Sequence, residues 1–272
     1  MTVSIQLHDI VQEYPRPEGG ILRVVDGLQL EIDQPQIVML LGPSGCGKST
    51  ILRMMGGVRP HGVVTPTSGE VRIDGELCTG PHDDAVMVFQ RYANRPDLTV
   101  WGNVAFPFRL GLWRRRFDSA ERDQRVQAML EAVGLAEKAK LRPHQLSGGQ
   151  NQRVALARAL VLEPRILLMD EPFGALDAQT REEMQELLGE LHRRKPCAVV
   201  FVTHDVTEAL TLGDRVVVLS AGPAKVVDDF TIEEPRPRSR AWQQSTGTRV
   251  LEERILSHLH ATDGRGQVRV SL

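Results

Sequence analysis

Apolar and polar residues alternate over 3–7 (Val-Ser-Ile-Gln-Leu) and over much of 23–32. A period of two predicts half-buried antiparallel strands. Between them, 15–20 is rich in Pro and Gly and reads as a turn, with Tyr14 at its edge. The runs 37–41, 85–89, 165–170 and 198–203 are continuously apolar for most of their length, as in strands covered on both faces. Asp74-Gly75 between 70–73 and 76–77 predicts a hairpin. From Arg91 to Pro164 the texture changes to helical spacing. Val126, Met129, Leu130 and Val133 form one apolar face within 122–135, and Ser147 reads as the N-cap of a helix to about Leu162. Further helices are expected over 180–194, 206–212 and 246–260, with strands over 215–220 and 224–231. The segment 233–238 (Glu-Glu-Pro-Arg-Pro-Arg) reads as an extended linker, and the last dozen residues as a frayed end. Strands alternating with helices predict an α/β fold.

The chemistry concentrates at the ends of the apolar strands. Gly42-Pro43-Ser44-Gly45-Cys46-Gly47-Lys48-Ser49-Thr50 follows strand 37–41 and opens a helix that should stop at Gly56-Gly57. It matches the P-loop pattern G-x-x-x-x-G-K-[ST] in its required context. Glycines let successive N–H groups turn toward one anion, and the helix start adds its positive dipole end. Lys48 would reach the β- and γ-phosphates of a nucleotide, and the Ser49 hydroxyl would ligate Mg²⁺. Cys46 lies inside this loop, where it reads as a small side chain that fits; a thiol reagent that reached it would block nucleotide entry. Asp170 ends a buried strand on the side where open α/β sheets bind ligands. Its carboxylate suits Mg²⁺, and the adjacent Glu171 can polarise a water. Leu146-Ser147-Gly148-Gly149-Gln150 offers a second anion site, with an N-cap hydroxyl, two glycine amides and a helix N-terminus. By chance this pentapeptide would occur in well under about one chain in a thousand.

With these motifs in place, residues 3–232 resemble an ATP-binding cassette (ABC) ATPase, the nucleotide-hydrolysing subunit of an ABC transporter. The motifs stand in the family's order: Walker A over Gly42 to Ser49, the Q-loop at Gln90, the signature over Leu146 to Gln150, Walker B over Ile166 to Asp170. Glu171 stands as the catalytic glutamate, Gly174-Ala175-Leu176-Asp177 as the D-loop and His204 as the switch histidine. Tyr14 stands where the family stacks an aromatic on adenine. The resemblance implies a P-loop core with an antiparallel β subdomain and a helical insertion over about 91–163, a catalytic domain over 1–232, and a C-terminal linker and tail over 233–272. It implies ATP and Mg²⁺ as cofactors. Glu171 activates water, His204 contacts the γ-phosphate, and Gln90 senses the metal and couples the site to the insertion. Phosphoryl transfer needs mainly positioning and charge neutralisation, which these groups supply.

The helix after the signature would run roughly 20 Å at about 1.5 Å per residue before the chain returns to Asp170. That places the signature far from its own P-loop, in accord with the family's head-to-tail dimer, where a second copy closes each ATP site. Asn151, where relatives often carry Arg, Gln or Met, is expected to matter little. Arg91 to Pro96 is more polar than the family's permease-facing stretch.

Composition narrows the partners. A net charge of −2 argues against nucleic acid, and 41% hydrophobic residues are ordinary for a globular chain. The longest apolar runs are far short of the ~18 residues of a membrane span, and no signal segment opens the chain. Three cysteines (Cys46, Cys78, Cys197) fit neither a zinc pattern nor a disulfide framework. The expectation is a peripheral subunit on the cytoplasmic face of the inner membrane, bound to a multi-span permease and, through it, to an extracytoplasmic solute-binding protein. The Pro-Arg-Pro-Arg stretch at 235–238 resembles the nitrate/sulfonate/taurine-type import ATPases. Arg114-Arg115-Arg116 reads as a solvated cluster. The competing class is a soluble, non-transport cassette in nucleic-acid or translation work. It predicts basic patches or inserted coiled coils, which this sequence lacks.

Overall fold

The computed structural model describes residues 4–59, 65–89, 93–110, 113 and 116–260. In chain order the elements are β1 (Ile5–Pro15), β2 (Ile21–Ile32), β3 (Ile37–Leu41), α1 (Lys48–Met55), β4 (Ser68–Ile73), β5 (Glu76–Leu77) and β6 (Ala85–Val88). There follow α2 (Val100–Ala105), α3 (Ser119–Ala132), α4 (Gly148–Leu160), β7 (Ile166–Asp170) and α5 (Ala178–Arg194). The described residues end with β8 (Ala198–Thr203), α6 (Val206–Leu212), β9 (Arg215–Leu219), β10 (Val226–Thr231), α7 (Arg240–Gln243) and α8 (Thr246–His260). The chain divides into two compact units, one of Met1–His82 with Ala198–Leu272 and one of Asp83–Cys197.

The first unit holds two sheets. One is antiparallel, in the order β2-β1-β4-β5; in the other, β8 and β9 flank β3 in parallel and β10 pairs antiparallel with β9. Every residue of β3 and β8 is buried, as their unbroken apolar runs require. At about 1.5–3 kcal/mol for each large side chain, these strands supply much of the unit's driving force. The hairpin closes at Asp74 and Gly75, both at positive φ (52° and 81°).

Strand β1 is longer than the alternation predicts. It shifts register between Leu7 and Ile10, where Asp9 sits at φ 48°, and again on either side of Gln12. The bulge at Asp9 moves the buried face from one parity to the other, so the period of two is lost while the strand continues. The buried Gln12 is the visible sign of this.

The expected extended linker is instead bound to the first unit. The Arg236 guanidinium forks onto both carboxylate oxygens of Asp214 at 2.8 Å. Arg238, only 8% exposed, donates to the carbonyls of Leu210 (2.8 Å) and Thr211 (3.2 Å) at the end of α6, and to Glu234 O. Its guanidinium lies 5.0 Å from the Trp242 ring centroid. Last-turn carbonyls lack helical partners, so an arginine is well placed to satisfy them. Burial pulls the Arg238 pKa down to about 10, which leaves it charged at neutral pH. Beyond it, α8 is held to β10 by Arg254, which forks onto Asp228, with His258 3.2 Å from the same carboxylate.

In the second unit β6 and β7 pair in parallel, and β7 is buried throughout. Helix α3 begins earlier than its apolar face suggests, because Asp118 caps it by accepting from Glu121 N at 2.8 Å. It ends by Ala132, ahead of Gly134 at φ 70°. Several polar groups of 93–97 bond within the unit: Asn94 donates to Asn151 O (2.8 Å), Arg158 donates to Ala93 O (2.8 Å), and Arg95 pairs with Asp97, while Asn94 Oδ1 is buried with no partner among the described residues. Arg114, Arg115 and the frayed end expected over the last dozen residues lie outside the described residues.

Candidate functional site

The loop 42–47 connects β3 to α1. Gly45 and Gly47 take positive φ (76° and 117°), which turns consecutive amides toward one side. Gly47 is also sterically required, since a Cβ there would lie 2.9 Å from Val24 Cγ1. No side chain caps α1 at Gly47. Lys48 is buried, and its ammonium donates to Gly42 O at 2.7 Å and Pro43 O at 2.9 Å. These bonds hold the charge against the loop. Ser49 and Thr50 follow in the first turn, both half-buried.

Cys46 is a small side chain closed into the loop. It is 2% exposed, and burial raises its thiol pKa. A buried neutral thiol is a poor nucleophile, so a reagent reaches this loop slowly.

β3 and β8 are in register, with Leu41 opposite Thr203. His204 therefore leaves β8 at the same edge at which the loop leaves β3, and it is exposed. Asp205 next to it caps α6, accepting from Glu208 N at 3.0 Å. Tyr14 is half-buried on β1 directly opposite Leu22, one residue before the hairpin end, where Arg16 and Gly20 bond at 3.0 Å.

In the second unit, Asp170 ends β7 and is 8% exposed. Glu171 follows at φ 45°, a left-handed conformation rare for a residue with a Cβ. Ser147 caps α4 in a reciprocal box: its Oγ accepts from Gln150 N (3.3 Å) while Gln150 Oε1 accepts from Ser147 N (3.1 Å). Ser147 and Gly148 are exposed, and a cleft of about 290 Å³ opens there between Ser147, Gly149, Gln150, Arg153, Thr180 and Glu183. Asp177 caps α5, taking bonds from Thr180 N (3.0 Å) and Thr180 Oγ1 (2.8 Å), which lower its pKa.

The signature and the Asp177 cap touch. A Cβ on Gly149 would lie 2.4 Å from Thr180 Cγ2. Asn151, expected to matter little, fastens the signature loop by donating to Pro143 O (2.9 Å) and Ser147 O (3.1 Å). Nothing in the spacing of the sequence marks either contact. Gln90 lies outside the described residues.

The family described as "ABC transporter" matches residues 25–174. The chain is 41% identical over 241 residues to the bicarbonate transport ATP-binding protein CmpC of Synechococcus elongatus, covering 88% of this chain and 35% of that protein. It is 50% identical over 222 residues to the spermidine/putrescine import ATP-binding protein PotA of Thermobifida fusca, covering 80% and 55%. It is 39% identical over 247 residues to the nitrate import ATP-binding protein NrtD of a Synechocystis strain, covering 89% and 88%. The chain thus spans about a third of CmpC and about half of PotA. Among solved structures, the dimeric post-hydrolysis state of the ATP-binding cassette MJ0796 bound to ADP and Pi superposes with a TM-score of 0.71 at 34% identity, covering 85% of this chain and all of that one.

Proposed function

Because the chain belongs to the ABC transporter family, we propose that it is the ATP-binding and ATP-hydrolysing subunit of an importer whose permease is a separate, multi-span chain. The observation that carries this reading is the Leu146–Gln150 segment. It is an exposed helix N-terminus with its cap closed on itself, and a Cβ on its second glycine would lie 2.4 Å from the Thr180 methyl. Such a surface suits an anionic group brought to it from outside. In this reading the visitor is the phosphate end of ATP bound on a second copy, so two chains close head to tail. Among the described residues no helix is long and apolar enough to cross a membrane.

The roles follow from the donor chemistry. Lys48 and the amides of 43–49 bind the phosphates, and Tyr14 stacks on the adenine. Ser49 and Asp170 are hydroxyl and carboxylate oxygen donors, the kind Mg²⁺ takes while keeping most of its waters. Mg²⁺, when bound, neutralises phosphate charge. Glu171 orients and activates the attacking water, His204 contacts the γ-phosphate, and Gln90 reports to the permease. The catalytic domain spans 1–232 with its insertion at about 91–163. The cargo is a small solute of the nitrate, sulfonate or taurine type, bicarbonate included. The nitrate and bicarbonate relatives and the Pro-Arg-Pro-Arg stretch support that choice over a polyamine.

The test is to mix Lys48→Ala and Ser147→Arg chains. Each alone should be inactive, and the mixture should regain activity through heterodimers with one intact site. Full activity in a monomer would overturn the composite site. Co-purification with a multi-span membrane protein tests the partner.

A further inference from the structure

Gln152 is fully buried on α4, five residues after the Ser147 cap. Its Nε2 donates to the carbonyl of Pro172 at 2.7 Å. The amide cannot be turned round, because that would set oxygen against oxygen at the same distance. The other end, Oε1, is buried and takes no hydrogen bond among the described residues. A half-satisfied buried amide is a poor stabiliser, and an apolar side chain of the same shape would avoid the orphan acceptor. The single bond it makes must therefore be judged by what it holds.

It holds the turn that follows β7. Glu171 sits at φ 45°, which is unfavourable for any residue with a Cβ and persists only where the surroundings over-determine it. Three other features pin the same turn. Gly174 N donates to Glu171 O (3.3 Å), Leu176 N donates to Phe173 O (3.1 Å), and the Phe173 ring is 1% exposed. Only Gln152 reaches the turn, among these, from the helix that begins at the signature.

We infer that Gln152 is a positioning residue for Glu171: its amide holds the Pro172 carbonyl and so sets the placement of the neighbouring carboxylate from the signature helix. The inference rests on the reading of Glu171 as the water-activating group. It makes the position of α4 and the aim of Glu171 one rigid property of the second unit. A displacement of the signature segment on closure then reaches Glu171 of the same chain through one side chain. Gln152 touches neither nucleotide nor water in this account and is not itself catalytic.

The experiment uses full-length Gln152→Met and Gln152→Glu chains with MgATP. Met removes both the donor and the orphan oxygen at nearly constant volume. Glu keeps the shape and reach but replaces the donating NH₂ with an oxygen. Both should lower kcat about 10–100-fold, the size of effect that a misplacement of about 1 Å produces, with KM for ATP unchanged within about twofold. The melting temperature of Gln152→Met should stay within about 3 °C of the parent. Unchanged kcat in either folded variant, or losses of kcat, KM and melting temperature in parallel, would overturn the inference. Glu171→Gln is measured alongside. If it hydrolyses ATP at the parent rate, the reading of Glu171 fails and the inference with it. If it is inactive while Gln152→Met is fully active, the inference alone fails.

Discussion

Gly149→Ala separates two reasons for a glycine in the signature. In an open helix N-terminus alanine would be favoured over glycine by roughly 0.5–1 kcal/mol. Here the new Cβ would come 2.4 Å from Thr180 Cγ2, whereas ordinary contact begins near 3.4 Å. The start of α4 or of α5 must therefore yield by about 1 Å, and overpacking of this kind costs about 1–3 kcal/mol. Thr180 cannot simply rotate away, because its Oγ1 donates to Asp177 at 2.8 Å. The single variant should thus be destabilised by up to about 2 kcal/mol and, through the displaced cap, slowed about 100-fold. Thr180→Ser keeps the hydroxyl and deletes the offending methyl. Gly149→Ala/Thr180→Ser should recover both losses, with a coupling energy of about 1–2 kcal/mol between the two sites. Urea denaturation and steady-state ATPase rates read the two effects in parallel. Equal losses in the presence and absence of Thr180→Ser would refute the steric argument and leave the close approach of a ligand as the reason for the glycine.

Three further outcomes concern the C-terminal arginines, Asp228 and the cysteines. Arg238→Ala should destabilise the chain by about 1–3 kcal/mol in urea titration, because it leaves the Leu210 and Thr211 carbonyls without their donor; no loss would return 233–238 to the status of a linker. Asp228 is held below the usual carboxylate range, first of all by its hydrogen bonds to Arg254. Its contribution to docking α8 is therefore fully present above about pH 4 and lost as pH falls through the lowered folded value. Protection of α8 amides from hydrogen exchange should fall at that acidic end in the parent and be absent at every pH in Asp228→Asn; a pH-independent profile in the parent would contradict the clamp. Under brief treatment with a maleimide, half-buried Cys78 should be labelled before buried Cys46 and before Cys197, whose burial pushes it to about 12. Mass spectrometry showing Cys46 first would reverse the account of the loop.

Where one physical rule governed a segment, the residues announced the structure. Three of the four apolar runs became the buried strands β3, β7 and β8, whereas 85–89 gave β6, half-buried except at Val88; Asp74-Gly75 became a hairpin turn, and Ser147 with Gln150 became a capping box. What stayed hidden depends on partners distant in the chain. β1 outruns its alternation because the bulge at Asp9 changes the buried parity. Arg238 reads as surface charge until the α6 carbonyls, 27 and 28 residues earlier, meet it. Asn151 and Gln152 look like ordinary polar helix residues, and their value lies in the carbonyls of Ser147 and Pro172. The exposure of Cys46 could not be read from a motif that specifies only backbone shape. The motif residues were legible one by one, whereas the side chains that hold them in place were not.

The central claim is that ATP closes two copies of this chain and that Glu171 then drives hydrolysis. Light scattering of purified Glu171→Gln, with and without MgATP, tests it most directly. The predicted result is a monomer without nucleotide and a stable dimer with it, retaining two unhydrolysed ATP molecules per dimer. A chain that stays monomeric with MgATP, or releases phosphate at the parent rate, would contradict the account.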